Sequence, residues 1–125
     1  EKLITDNVFE MIIGIKNDNE FVPTILLVAV GIYTELFNYT STFLLPLTKR
    51  IIVEAIIHLN FSNILLGFRG KNSGDLDALV SSILKIAKFA ENNYDKISEV
   101  DINPLIVCKK GKGVFAVDAL IHYFK

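Results

Sequence analysis

The sequence predicts an α+β fold, in which an antiparallel or mixed sheet is covered by helices. Residue patterns give the order strand, strand, strand, helix, helix, strand, strand, without the alternating βαβ rhythm that is typical of a parallel sheet. The chain has 125 residues, of which 51% are hydrophobic, and this is enough for one domain with a buried core. We therefore expect residues 1–125 to form a single domain.

Three strands are predicted in the first part of the chain. Residues 8–16 are rich in β-branched and aromatic side chains, and the polar residues 17–20 that follow indicate a turn. The continuous apolar run 24–31 is typical of a strand that is covered on both faces. Residues 40–45 give a third strand, which ends before Pro46.

Two helices are predicted in the middle of the chain. Thr48 is expected to cap a helix that continues through His58. Ser73 is expected to cap the second helix, with Asp75 and Asp77 in its first turn, where the helix dipole favours acidic residues. Helical spacing predicts that its buried stripe consists of Leu76, Leu79, Val80, Ile83, Ile86, Ala87 and Ala90.

Residues 99–118 predict a β-hairpin, because two apolar strand patterns flank a turn that contains Gly111 and Gly113 among lysines. If Cys108 and Gly113 close this hairpin, Asn103 lies directly opposite Asp118. Residues in directly opposite positions have Cβ atoms about 4.5–5.5 Å apart on one face of a sheet. The pairing would therefore bring an amide and a carboxylate close enough to share one cation.

Alternation along the same segment places Glu99, Asp101 and Asn103 on one face of the sheet. Oxygen ligands of this kind suit Mg²⁺, which takes a few protein oxygens and completes its coordination with water and phosphates. The alternative is an ordinary turn or edge, because short clusters of Asp and Asn beside a proline such as Pro104 are common in loops. The spacing alone leaves both interpretations open.

Two other charged residues are candidates for contacts with a ligand. Arg69 stands between Gly67 and Gly70, where its guanidinium could bind a phosphate without obstruction from the backbone. It could equally be a solvated loop arginine. Glu10 lies within an apolar strand, where it could face a ligand such as a ribose hydroxyl or could simply be the outward residue of an alternating strand.

Composition excludes several classes of protein. The net charge of −1 argues against binding to nucleic acid or to an anionic membrane, and the longest apolar run is about half of the roughly 20 residues that a membrane-spanning helix needs. Cys108 is the single cysteine, so the chain has no internal disulfide and a reducing cytoplasm is the expected location. Nucleophile-elbow, Walker A, HExxH and dinucleotide-binding motifs are absent.

Six short motifs occur in an order that resembles a known family. They are EMIIG at 10–14, NDNEFVP at 17–23, GIYTEL at 31–36, PLT at 46–48, GFRG at 67–70 and EVDINPL at 99–105. Together with the isolated Asp118, they resemble the C-terminal half of the ATP-grasp domain of NDP-forming acyl-CoA synthetases. This group includes ADP-forming acetyl-CoA synthetase and is related to the β subunit of succinyl-CoA synthetase, and the match covers nearly the whole chain.

The resemblance implies an ATP-grasp subdomain that holds Mg²⁺ and ATP or ADP for phosphoryl transfer, through a phosphohistidine, in acyl-CoA formation or breakdown. By their positions in the motifs, Asn103 and Asp118 match the Mg²⁺ ligands, Asp101 the acidic residue before them, and Arg69 the arginine of the family's glycine-flanked loop. The implied partners are the N-terminal half of the ATP-grasp domain and CoA-binding or ligase domains, or a subunit that carries the phosphohistidine. Self-association is left open.

The chain also departs from the family pattern. Val22, Val28 and Val30 stand where the family has glycines, and Tyr39 and Phe43 stand where it commonly has Asp and Arg. Apolar side chains in place of glycines and charged groups suggest a weakened site on an apolar face. A second hypothesis follows, in which the chain is a degenerate, non-catalytic remnant of the fold that is kept for contact with a subunit or another partner.

The chain is expected to be a piece of a longer polypeptide, because it starts at Glu1 and its only methionine is Met11. On its own it is expected not to turn over substrate.

Overall fold

The computed structural model describes residues 7–17, 23–31, 38–58 and 74–125. Its elements, in chain order, are β1 (Asn7–Lys16), β2 (Thr24–Gly31), β3 (Asn38–Leu44), α1 (Lys49–His58), α2 (Leu76–Asn92), β4 (Ile97–Cys108), β5 (Val114–Ala116) and β6 (Ala119–Tyr123). Because strands and helices occur in separate runs along the chain, the predicted α+β class is confirmed.

The strands form one sheet of six, in the order β3-β2-β1-β4-β5, and β6 pairs with the other part of β4. Every pair is antiparallel, which decides between the antiparallel and mixed sheets that the sequence allowed. Strand β6 was not predicted, because its sequence starts with three consecutive apolar residues and shows no alternation that would indicate a strand.

One face of the sheet packs against both helices. Met11, Ile13 and Ile15 alternate along β1 and are at most 2% exposed, in one cluster with side chains of both helices. Leu26 of β2 is 38% exposed, whereas the residues on either side of it are buried. The prediction that β2 is covered on both faces is therefore wrong, since in the described chain the helices lie on one face only. We call the other side the open face; it carries Glu10, Ile12, Gly14 and Lys16 of β1.

Both helices start close to the predicted positions. The Thr48 hydroxyl accepts a hydrogen bond from the backbone N–H of Ile51 at 3.2 Å, which confirms this cap of α1. The cap of α2 is Asp75, whose Oδ1 accepts from the N–H of Ala78 at 3.1 Å. Asp75 is thus the cap and not a first-turn residue, while Ser73 lies outside the described residues. The predicted stripe of α2 is confirmed, since its seven residues are buried or pack against the core.

Asn17 ties the end of β1 to the connection between α2 and β4. It is 8% exposed, and its side-chain amide donates hydrogen bonds to the carbonyls of Tyr94 and Ile97, the second at 3.0 Å. Its backbone N–H donates to the carbonyl of Ser98 at 2.9 Å. These bonds fix the point at which β4 enters the sheet beside β1.

Candidate functional site

The hairpin between β4 and β5 closes as the sequence predicted. The backbone N–H of Cys108 donates to the carbonyl of Gly113 at 3.0 Å, and Val107 pairs with Val114. Gly111 and Gly113 have φ angles of 85° and 84°, in the left-handed region that glycine adopts without a steric cost. The turn residues therefore determine the register of the two strands.

Asn103 and Asp118 lie opposite each other at the end of this ladder. The N–H of Asn103 donates to the carbonyl of Asp118 at 3.0 Å, and the next residues, Ile102 and Ala119, form the first pair of the β4–β6 ladder. Both side chains are exposed. A side-chain amide and a carboxylate thus occupy neighbouring positions on two paired segments, which is the predicted juxtaposition.

A β-bulge lies beside Asn103. On β1, Met11 pairs with Leu105 and Ile13 pairs with Ile102, so Ile12 alone faces the extra residue of β4. Leu105 and Ile102 are both buried in the core, and Asn103, between them, is exposed. Alternation from Ile102 already places Asn103 on the open face, and the extra residue returns Leu105 to the core, since bulges change the direction of a side chain within a sheet. The only sequence signal for the bulge is Pro104, which cannot donate to a ladder.

Acidic side chains continue along the same face of β4. Asp101 is exposed, Glu99 is half-buried, and Val100 between them is buried, as the alternation predicted. The carboxylate of Glu99 lies 4.0 Å from Nζ of Lys16, which is 82% exposed, so this ion pair contributes little to stability. The result is a row of oxygen-bearing side chains that leads to Asn103.

Glu10 also belongs to the open face. It is half-buried and pairs with Ile106 on one side and Val30 on the other. Because Ile12 is two residues further along β1, Glu10 and the position opposite Asn103 share one face. The structure thus brings Glu10 to the same side of the sheet as Asp101 and Asn103, whereas Arg69 lies outside the described residues.

The residues that depart from the family pattern do not form one surface. Val28 is half-buried on the open face. Phe43, however, pairs with Ile25 and packs against the core on the helix side, so its expected place on the site face is wrong. Paired residues share a face, and Ile25 is fully buried. Tyr39 pairs with Ala29 and Val30 with Asn38 along the backbone, while Val22 lies outside the described residues.

A pocket of about 400 Å³ lies on the open face beside Asp101, within the size range of ligand sites. At Gly14, an added Cβ would meet no atom within 4 Å, so the absence of a side chain leaves space there. Sequence reasoning missed several lining residues, although alternation along β1 and β2 could have indicated them. The lining consists of Gly14, Ile15, Lys16, Thr24, Leu26, Thr42, Glu99, Val100 and Asp101.

Within the described residues, no group of three or more His, Cys, Asp or Glu side chains could hold a metal ion. Neither of the two described helices is long and apolar enough to cross a membrane.

The sequence profile of the ATP-grasp domain matches residues 1–122. The chain belongs to the ATP-grasp domain family. Among its curated relatives is the beta subunit of the ADP-forming acetate–CoA ligase II of Pyrococcus furiosus. That protein is 34% identical over 112 residues, which are 90% of this chain and 48% of the relative.

Two solved structures are similar to this fold. A Pyrococcus horikoshii protein superposes with a TM-score of 0.82 at 31% identity, covering 98% of this chain and 51% of that one. The dinucleotide-forming acetyl-coenzyme A synthetase 1 of Candidatus Korarchaeum cryptofilum gives 0.76 at 31% identity, covering 93% and 53%. The latter holds coenzyme A and Mg-AMPPCP, with its phosphohistidine segment pointing towards the nucleotide-binding site.

These relatives confirm the resemblance to ADP-forming acyl-CoA synthetases that the motifs indicated. The chain spans about half the length of the relatives named here.

Proposed function

We propose that this chain is the C-terminal half of an ATP-grasp domain and forms one wall of a Mg²⁺–ATP or Mg²⁺–ADP site. The complete protein would be an ADP-forming acyl-CoA synthetase, an acid–thiol ligase. The observation that supports this most strongly is the pairing of Asn103 with Asp118 on the exposed side of the sheet. A relative that holds Mg-AMPPCP supports the choice of ligand.

In this proposal, the Asn103 amide oxygen and the Asp118 carboxylate bind the cation. Mg²⁺ commonly takes one or two protein oxygens and fills its octahedron with phosphate oxygens and water, so two side chains on a solvent-facing edge suit it. When bound, the ion would neutralise the charge that develops on the phosphates during phosphoryl transfer. Because β4 pairs with β1 on one side and with β5 and β6 on the other, the sheet would hold the Asn103 ligand in place.

The remaining candidates would contact the nucleotide. Glu10 lies on the same face and could accept a hydrogen bond from a ribose hydroxyl, while Asp101 lies two residues before Asn103 on β4. Arg69 would bind a phosphate through its guanidinium. These groups would bind the nucleotide along the open face, with its ribose at Glu10 and its phosphates at the cation.

The rest of the site would come from other parts of the assembly. The N-terminal half of the ATP-grasp domain would cover the open face, and CoA-binding or ligase domains, or another subunit, would bring the phosphohistidine and the thiol. We expect this reaction to take place in the cytoplasm. Because half of the site is supplied from elsewhere, the isolated chain should not turn over.

A second candidate is a non-catalytic remnant of the same fold that serves as a contact module. Val28 favours it, because this side chain lies on the open face where the family has a glycine that lets phosphate approach. Phe43 does not favour this candidate, because its side chain packs against the core on the helix side and not on the open face. The two candidates differ in whether Mg²⁺ and nucleotide bind at all.

Calorimetric titration of Mg²⁺–ADP into the chain joined to the other half of its ATP-grasp domain separates them. We predict binding to the wild type and, because a metal ligand is lost, at least about tenfold weaker binding to Asp118→Ala and Asn103→Ala. The control is Asp95→Ala, which removes an exposed carboxylate from the turn after α2. Absence of binding to the wild type, or equal affinities for Asp118→Ala and Asp95→Ala, would contradict the nucleotide site.

A further inference from the structure

The Asp75 carboxylate joins two elements that are far apart in the sequence. Its Oδ1 accepts from the N–H of Ala78 and caps α2. Its Oδ2 accepts from the N–H groups of Gly111 at 3.1 Å and Gly113 at 2.9 Å, 36 and 38 residues away. Its own N–H donates to the carbonyl of Cys108 at 2.8 Å. One oxygen suffices for a helix cap, so the second serves the hairpin.

The hairpin needs such support because β5 is held weakly by packing. This strand has three residues, of which Phe115 is 43% exposed and Ala116 is also exposed. Only Val114 packs against the core. Register is strongly specified where one face of a strand is buried and weakly specified where it is not. The bonds from Asp75 to Gly111 and Gly113 therefore fix a turn whose strand contributes little burial.

The fixed turn and the β4–β6 ladder share one register, and together they determine which residues face each other at the candidate metal site. Asn103 precedes Cys108 by as many residues as Asp118 follows Gly113, so closure between Cys108 and Gly113 places Asn103 opposite Asp118. A slip of one residue would bring Val117 opposite Asn103 and would turn the side chains to the other face. An apolar side chain would then stand where the carboxylate now lies.

We propose that Asp75 is a positioning residue for the cation site, which holds the β4–β5 register and so keeps Asn103 opposite Asp118. The effect of Asp75 on cation binding rests on the proposed function. The register of β4 and β5, however, can be measured without any ligand. Asp75 does not touch the cation or the nucleotide. It acts through the backbone of Cys108, Gly111 and Gly113.

The test is Asp75→Ser in the chain joined to the other half of its domain. Serine is as good a helix cap as aspartate, but it has no second oxygen for the hairpin. We expect Mn²⁺ binding in the presence of ADP, followed by electron paramagnetic resonance, to weaken about tenfold, as for groups that orient metal ligands. The N–H of Asn103, which donates across the site, should also exchange with deuterium faster.

The matched control is Ile83→Val, which removes one methyl group from the fully buried face of α2 and leaves the hairpin bonds intact. If Asp75→Ser and Ile83→Val bind Mn²⁺–ADP equally well at similar melting temperatures, the positioning role is refuted. If the wild type binds no Mn²⁺–ADP, the proposed function fails. In that case, only the rate at which the Asn103 N–H exchanges with deuterium tests the positioning role. A larger increase in Asp75→Ser than in Ile83→Val supports the role, and equal rates in the two variants refute it.

If Asp75→Ser does not fold, Asp75→Asn replaces it in the same comparison. The amide keeps the shape of the side chain but offers one acceptor oxygen, which can serve the helix or the hairpin and not both. Weaker Mn²⁺ binding or faster Asn103 exchange than in Ile83→Val supports the positioning role. If Asp75→Asn shows neither effect, the role is refuted.

Discussion

At the scale of single residues, Asn17 shows how a buried polar side chain can hold the connection between two elements. Its amide donates to the carbonyls of Tyr94 and Ile97, residues that are 77 and 80 positions away in the sequence. The sequence predicted only that Asn17 starts a polar turn. The side-chain bonds could not be predicted, because they depend on β1 and β4 being neighbours, which local composition does not encode.

We predict that Asn17→Ala lowers the free energy of unfolding by about 1–3 kcal/mol, because it removes the side-chain donor from a buried carbonyl oxygen, that of Ile97, and from the partly buried one of Tyr94. Urea denaturation followed by circular dichroism measures this change. Asn92→Ala is the control, since Asn92 is exposed at the end of α2, and it should change stability by less than about 0.5 kcal/mol. Equal effects of the two substitutions would show that the Asn17 bonds do not stabilise the fold.

At the scale of elements, the β4–β5 hairpin was predicted in detail, because the residues of its turn indicate how the two strands pair. Glycines among lysines set the turn, and the turn set the pairing of Asn103 with Asp118. The bulge beside Asn103 was not predicted, because it arises between β4 and β1, which are distant in sequence. The sequence predicts Asp75 in the first turn of α2, because Ser73 is also a good cap residue, whereas in the structure Asp75 is the cap.

We predict that Gly113→Ala destabilises the protein by about 1–2 kcal/mol, because φ is 84° there and an L side chain is strained in that region. Gly14→Ala is the matched control in the same sheet. An added Cβ at Gly14 meets nothing within 4 Å, and alanine suits a strand better than glycine, so stability should be unchanged or slightly higher. Urea denaturation compares the two variants, and an equal loss in both would refute the strain argument.

At the scale of the whole molecule, the described strands form one sheet, which has the described helices on one side and the candidate site on the other. The sequence predicted the α+β class, because strand and helix periods differ. It predicted Phe43 on the wrong face, since alternation separates two faces and only the pairing of Phe43 with Ile25 shows which one is buried. The exposed carboxylates, the amide and the pocket lie on the open face, where the proposed nucleotide site would be.

We propose above all that Asn103 and Asp118 share one cation that also binds the phosphates of a nucleotide. The most direct measurement is anomalous X-ray diffraction from Mn²⁺ in crystals of the complete domain grown with ADP. We predict an anomalous peak about 2.0–2.3 Å from the amide oxygen of Asn103 and from a carboxylate oxygen of Asp118, in contact with ADP phosphate oxygens. A peak with nucleotide phosphates at other side chains, and none beside Asn103 and Asp118, would contradict the claim.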